Sequence, residues 1–116
     1  MSRKAGMLAA TMLIVVALGA FGAPASAQSR RAIAIKNFSF FPNTATVAPG
    51  STIVVTNQDA IRMRVKHTLT ANNGAFDTGV LLGDPVSFVA PTTPGIYNYH
   101  CEIHDFMMGS ITVTGG

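Results

Sequence analysis

The sequence predicts an all-β protein, a β-sandwich of about seven to eight short strands. Three observations carry that reading. Runs rich in Val, Ile, Thr, Phe and Tyr recur roughly every ten residues. Turn residues close almost every run. Past residue 27, no window sustains an apolar helical period for three turns.

The runs follow in order. Residues 32–35 (Ala-Ile-Ala-Ile) open the series. Residues 38–41 stop at Pro42-Asn43. Residues 44–47 end at Ala48-Pro49-Gly50, where Pro and Gly together mark a turn. Residues 51–56 are strongly β-branched and close at Asn57-Gln58-Asp59. A run over 65–70 precedes Asn72-Asn73-Gly74, and 86–90 precedes Pro91-Thr92-Thr93-Pro94-Gly95. Runs over 96–100 and 110–114 complete the set, while 76–83 reads equally as a loop or an irregular strand. Side-chain alternation assigns Phe38, Phe40, Val54, Leu69, Phe88, Tyr97, Tyr99, Ile111 and Val113 to the core.

The first residues read as an address. Arg3-Lys4 is followed by an uncharged apolar stretch over 5–23 and by the small-x-small sites Ala23-Pro24-Ala25 and Ala25-Ser26-Ala27. That is the layout of a secretory signal peptide, here residues 1–27, preceding one domain over 28–116. Such a leader directs the domain to the periplasm. If retained, the same stretch would anchor it to the membrane, facing the periplasm.

Removing the leader changes the charge. The whole chain carries 8 basic and 5 acidic residues, net +3. The remainder keeps Arg30, Arg31, Lys36, Arg62, Arg64 and Lys66 against five acids, net +1. Nucleic-acid binding needs a concentrated basic face, and only Arg62-x-Arg64-x-Lys66 approaches one, so no nucleic-acid partner is expected. Nor is stable membrane insertion expected after cleavage. The single cysteine, Cys101, excludes an intrachain disulfide.

Cys101 also carries the chemistry. Within Tyr99-His100-Cys101-Glu102-Ile103-His104-Asp105-Phe106-Met107-Met108 lie a thiol, imidazoles and thioethers. Thiolate, imidazole and thioether are soft or borderline ligands that favour copper over Mg²⁺ or Ca²⁺. Cys-x-x-His lets a loop return both side chains to one ion. His67, upstream, could supply the second imidazole of a His₂Cys site with a weak axial Met. His100 is less suited, since strand alternation points it away from Cys101. Each residue alone has a plainer reading as packing or as a surface group. An exposed unpaired thiol in an oxidising compartment, however, is a liability unless it is metal-bound or buried.

Tyr97-x-Tyr99-His100-Cys101-x-x-His104-x-Phe106-Met107-x-Gly109 resembles the ligand loop of cupredoxins, in the amicyanin and plastocyanin branch. The Cys-x-x-His-x-x-Met spacing is similar to the short amicyanin loop. Pro49-Gly50, Val54-Val55-Thr56-Asn57-x-Asp59, His67-Thr68-Leu69-Thr70 and Gly74-x-Phe76-Asp77-Thr78-Gly79 extend the resemblance over nearly the whole domain. It implies a Greek-key sandwich holding one type 1 copper ion through His67, Cys101, His104 and Met107, with Met108 the alternative axial ligand. It further implies sulfur hydrogen bonds from Asn57 and the Thr68 amide.

Two features depart from the family pattern. Seven residues separate Asp59 from His67, so 61–66 is expected to bulge near the copper end. Asp105 stands where amicyanins commonly carry Pro, and a carboxylate beside His104 favours the protonated imidazole.

The implied function is single-electron transport by Cu(I)/Cu(II) cycling in a monomer that is not an enzyme. Its partners would be a dehydrogenase, reductase or cytochrome, met in a weak, transient contact near His104, with Phe106, Met108 and Pro91 as an apolar patch. Arg62, Arg64 and Lys66 either steer an acidic partner or are simply solvated. The alternative is a periplasmic copper carrier or storage protein without redox turnover.

Overall fold

The computed structural model describes residues 29–115, so the expected leader lies outside the described residues. Two four-stranded sheets face each other. The first takes β1 (Arg30–Lys36), β2 (Ser39–Phe41), β4 (Thr52–Asn57) and β6 (Val86–Val89), in the order β2-β1-β4-β6. The second takes β3 (Thr44–Val47), β5 (Thr70–Ala71), β7 (Gly95–His100) and β8 (Met108–Val113), in the order β3-β8-β7-β5. A short helix, α1 (Gln58–Met63), follows β4. Among the described residues, no helix is long and apolar enough to cross a membrane. The expected all-β sandwich of about seven to eight strands is present.

Alternation builds the core. Ile33 and Ile35 of β1 and Ile53 and Val55 of β4 meet Val47, Tyr99, Ile111 and Val113 of the opposite sheet, all buried. Phe40 packs edge-on against Tyr99 at 4.8 Å, and Phe76 stacks on Phe88 at 4.6 Å. Phe40, Leu69, Tyr99, Ile111 and Val113 are core residues as expected, and Phe38, Phe88 and Tyr97 are partly buried against them. Val54 is not in the core: β4 buries Ile53, Val55 and Asn57 and turns Val54 to the other face. Three consecutive apolar residues left the phase of that strand open, and a one-residue shift exchanges its faces.

The run expected over 65–70 is mostly not a strand. Only Thr70–Ala71 joins the sheet, beside isolated bridges His67↔Leu81 and Thr70↔Asp77. The preceding residues are used by α1 and its exit. The Asn57 side chain caps α1 by accepting from the Ala60 amide, and Arg64 ends it in the left-handed region. The expected bulge over 61–66 is therefore the end of a capped helix and its return. The 76–83 stretch is irregular, yet Leu81 within it is fully buried.

Strand polarity fixes which end holds the site. β4 ends at Asn57 and β7 ends at His100, so α1, His67 and Cys101 gather at one end of the sandwich. Pro91 accepts from the Gly50 amide, next to the start of β4, and so lies at the opposite end. It therefore cannot belong to the expected patch around His104: β6 runs antiparallel to β4 and carries the chain away from the site, a direction the sequence does not encode.

Gly109 faces Tyr99 across the β7–β8 ladder. A Cβ there would clash with the Tyr99 ring carbon Cζ and its Oη and lie 2.8 Å from the Asn43 carbonyl oxygen. The Tyr99 hydroxyl is buried with no hydrogen-bond partner among the described residues, and burial pushes its pKa well above the usual phenol value. Gly109→Ala should cost about 1–3 kcal/mol in denaturant unfolding, because neither ring nor backbone can give way freely. Tyr99→Phe should leave stability unchanged or raise it, since it removes an unpaired buried polar group. A Tyr99→Phe loss above about 1 kcal/mol would show that the hydroxyl makes a bond in solution.

Candidate metal centre

Each candidate ligand is held by its own local structure. Cys101 follows β7 directly and is fully buried. Its amide donates to the Met107 carbonyl at 3.1 Å, and the Met107 amide donates to the His104 carbonyl at 3.0 Å. These bonds fold 101–107 into a closed loop that places Cys101 and His104 on one side. His67 is fully buried on the separate segment between α1 and β5. Its carbonyl accepts from the Leu81 amide at 2.8 Å, and the Asn57 amide group donates to the Val65 and Leu81 carbonyls at 3.0 and 2.9 Å. One buried Asn thus ties together the two segments flanking His67.

The three donor atoms form a compact triangle. His67 Nδ1 and His104 Nδ1 are 3.1 Å apart, and Cys101 Sγ lies 3.8 Å from the first and 3.9 Å from the second. A point in their plane is about 2.1 Å from all three atoms, within the range of ~2.0–2.3 Å at which imidazole nitrogen and thiolate sulfur bind a first-row metal ion. The residues present therefore fit such an ion. Thiolate with two imidazoles in a trigonal plane, near a Met, is the donor set suited to type 1 copper. Among the described residues, His67, Cys101 and His104 form the one group of three His, Cys, Asp or Glu side chains close enough to share a metal ion.

The sulfur is further oriented by the backbone. The Thr68 and Ile103 amides both donate to Sγ at 3.4 Å. Thr68 Oγ1 also accepts from the Glu102 amide at 2.9 Å, linking the His67 segment to the ligand loop. The Thr68 donor was expected; Ile103 was not, since a backbone amide leaves no mark in a side-chain pattern. Asn57 does not donate to the sulfur, because Val65 and Leu81 take both of its amide hydrogens.

The two methionines separate by burial. Met107 is 2% exposed and shares the core cluster with Cys101, whereas Met108 is 66% exposed at the start of β8. His100 points away, bonded to Asn72 and Glu102, as strand alternation required. Asp105 is exposed and forms no ion pair with His104 among the described residues.

Two further residues shape the site. Asp59, on α1 and 1% exposed, accepts from His67 Nε2 at 2.8 Å. It also accepts from the amides of Asn37 and Phe38 at 2.8 and 2.9 Å. Burial alone would raise its pKa. The Phe38 amide, His67 and the Asn37 amide outweigh that and hold the carboxyl below its usual range. The Phe38 ring meets both imidazoles edge-on, His67 at 5.2 Å and His104 at 5.0 Å. In the sequence, Asp59 is marked only as one position of the Val54-Val55-Thr56-Asn57-x-Asp59 motif. Its bond to His67 spans eight residues, but its bonds to the β1–β2 turn span more than twenty, beyond any local pattern.

Comparisons with known proteins agree with this geometry. Residues 9–113 match the family model of the cupredoxin-like domain. A purple cupredoxin from Nitrosopumilus maritimus is 26% identical with a TM-score of 0.61, covering 72% of this chain and 99% of that one. A Met-to-Gln mutant of amicyanin in its Cu(I) state is 20% identical with a TM-score of 0.63, covering 74% of this chain and 83% of that one, and shows the shared fold. A copper-containing nitrite reductase from Thermus scotoductus SA-01 is 25% identical with a TM-score of 0.62, covering 75% of this chain but 23% of the reductase. No curated protein matches the chain. With the family match spanning most of its length, and with two sheets bringing His67, Cys101 and His104 to one point, the chain belongs to the cupredoxin-like family.

Proposed function

We propose that this protein is an exported one-electron carrier holding a single type 1 copper ion through His67, Cys101, His104 and Met107. The triangle of two imidazole nitrogens and one sulfur about a common point carries the proposal. Copper bound there supplies the one-electron change between Cu(II) and Cu(I). Everything else is done by the chain. Cys101 would give the thiolate, and His67 and His104 the two imidazoles. Met107 would be the thioether ligand, because its side chain is buried while that of Met108 is in water. The two amides on Sγ withdraw charge from the thiolate and so favour the reduced ion.

The rigid sandwich holds the ligands in one arrangement that serves both oxidation states, which keeps reorganisation small. Four protein ligands leave no open coordination position for a substrate, so carrying rather than catalysis is the reading for this chain. His67 is sealed, while His104 is half-buried and flanked by exposed Ile103, Phe106 and Met108. The electron therefore leaves by the His104 edge, through an apolar contact of the small, transient kind. Arg62, Arg64 and Lys66 are exposed on α1 and its return, form no ion pair among the described residues, and steer an acidic partner. The leader over 1–27 takes the domain to the periplasm.

Adding Cu(II) to the purified domain should give an intense visible thiolate-to-copper band, absent from Cys101→Ser. A colourless protein that binds only Cu(I) would favour the carrier or storage reading instead. Met107→Leu should shift the reduction potential clearly, while Met108→Leu should leave it nearly unchanged; the reverse pattern would make Met108 the axial ligand. Oxidation of the reduced protein by the anion hexacyanoferrate(III) should slow severalfold at low salt when Arg62, Arg64 and Lys66 are all reversed to Glu, and converge with wild type at high salt. An unchanged rate at low salt would remove the steering role.

A further inference from the structure

We propose that Asp59 is a positioning residue for both imidazoles: for His67 by direct hydrogen bond, and for His104 through the left-handed β1–β2 turn and the Phe38 ring. The inference rests on the proposed roles of His67 and His104 as ligands. It begins with a backbone that the sequence does not favour. β1 and β2 are joined by Asn37-Phe38, with Lys36 paired to Ser39. Both turn residues have positive φ, 52° and 59°. That is the tight hairpin turn in which Asn is favoured first and Gly second. Phe in the second position carries a steric cost of about 1–2 kcal/mol that Gly would avoid.

Something must hold Phe38 there, and Asp59 does. Oδ1 accepts from the Asn37 amide at 2.8 Å, and Oδ2 accepts from the Phe38 amide at 2.9 Å. Two successive amides of a left-handed turn converge on one buried carboxylate. Oδ2 also accepts from His67 Nε2 at 2.8 Å. A carboxylate takes hydrogen bonds but gives none, so it selects the His67 tautomer with its proton on Nε2 and leaves Nδ1 bare towards the other donors.

The turn is matched by what it delivers. Phe38 lies edge-on to His104 at 82° and to His67 at 84°, and its ring stacks on Phe106 at 6.4 Å. Phe106 in turn lies 6.1 Å from the His104 ring. His104 is thereby braced by two phenyl rings, one placed by the turn that Asp59 fastens. A residue on α1 thus bears on a ligand in the 101–107 loop without touching it. The helix is needed for this, since Asn57 caps it two residues before Asp59.

Two variants separate the arms. Asp59→Asn offers one acceptor oxygen where the carboxylate has two, so either the turn or His67 loses its partner. Phe38→Gly suits the left-handed backbone, keeps the Asp59 bonds and removes only the ring. The first measurement is ¹⁵N NMR of the histidine rings in metal-free protein, which needs no copper and so separates failure of this inference from failure of the copper reading. Wild type should show His67 with its proton on Nε2. Asp59→Asn should mix the tautomers of His67 and shift the His104 signals. Phe38→Gly should shift His104 and leave the His67 tautomer unchanged.

The second measurement is copper affinity and potential. Asp59→Asn should weaken Cu(II) binding at least tenfold more than Cu(I) binding, raising the potential by about 59 mV for each tenfold. Wild-type His67 tautomer and potential retained in Asp59→Asn would reduce Asp59 to a turn brace and overturn the proposal. An unmoved His104 in Phe38→Gly would overturn the arm that runs through the ring. Should Asp59→Asn not fold, a wild-type His67 protonated on Nδ1 overturns it alone.

Discussion

A carboxylate taken out of water destabilises a fold unless its lone pairs are used, and Asp59 uses them on three donors. Two of those donors lie in the β1–β2 turn and the third is His67, so Asp59 ties both to the capped helix that carries it. Removing the carboxylate would leave two amides and an imidazole N–H unpaired at the end of the sandwich where the candidate ligands meet. The energetic weight of that arrangement lies in what is stranded when it breaks rather than in the bonds themselves. It explains how Phe38 tolerates a left-handed backbone and why His67 can be wholly buried yet directed.

Around this clamp, the two sheets divide the work. The first sheet delivers Asn57 and α1 at its end. The second delivers Cys101 and a loop short enough to close on itself through the Cys101–Met107 and Met107–His104 backbone bonds. Thr68 bridges the two halves, with its amide on the sulfur and its hydroxyl receiving the Glu102 amide. Most constraints on the donor triangle therefore come from backbone groups and buried polar side chains. Such constraints are what a site needs if its geometry is to stay the same while the charge of its occupant changes.

The sequence showed the strand rhythm because turn residues and β-branched runs are local signals. It marks Cys101, His104 and Met107 as candidates because they share one loop with ligand spacing, and His67 because few histidines compete for the second imidazole; the fold brings His67, Cys101 and His104 together. Other features needed the third dimension. Six residues of α1 are too few for a periodic signal, so its Asn cap passed for a strand-ending turn. The phase of β4 is not legible because Ile53, Val54 and Val55 are equally apolar, so alternation alone does not turn Val54 outward. The end at which Pro91 lies is not legible because β-strand direction is not written in composition. The role of Asn57 is not legible because the two carbonyls its amide hydrogens hold, at Val65 and Leu81, are brought to it by the fold. The role of Asp59 is not legible because its partners at Asn37 and Phe38 are brought to it only by the fold.

If two imidazoles and one thiolate hold a single copper ion at the donor triangle, X-ray absorption at the copper edge, on copper-loaded protein in both oxidation states, will show it. One sulfur and two nitrogen scatterers are expected at about 2.0–2.3 Å, with little change on reduction. A shell of oxygen and nitrogen alone, or one that rearranges between states, would contradict it.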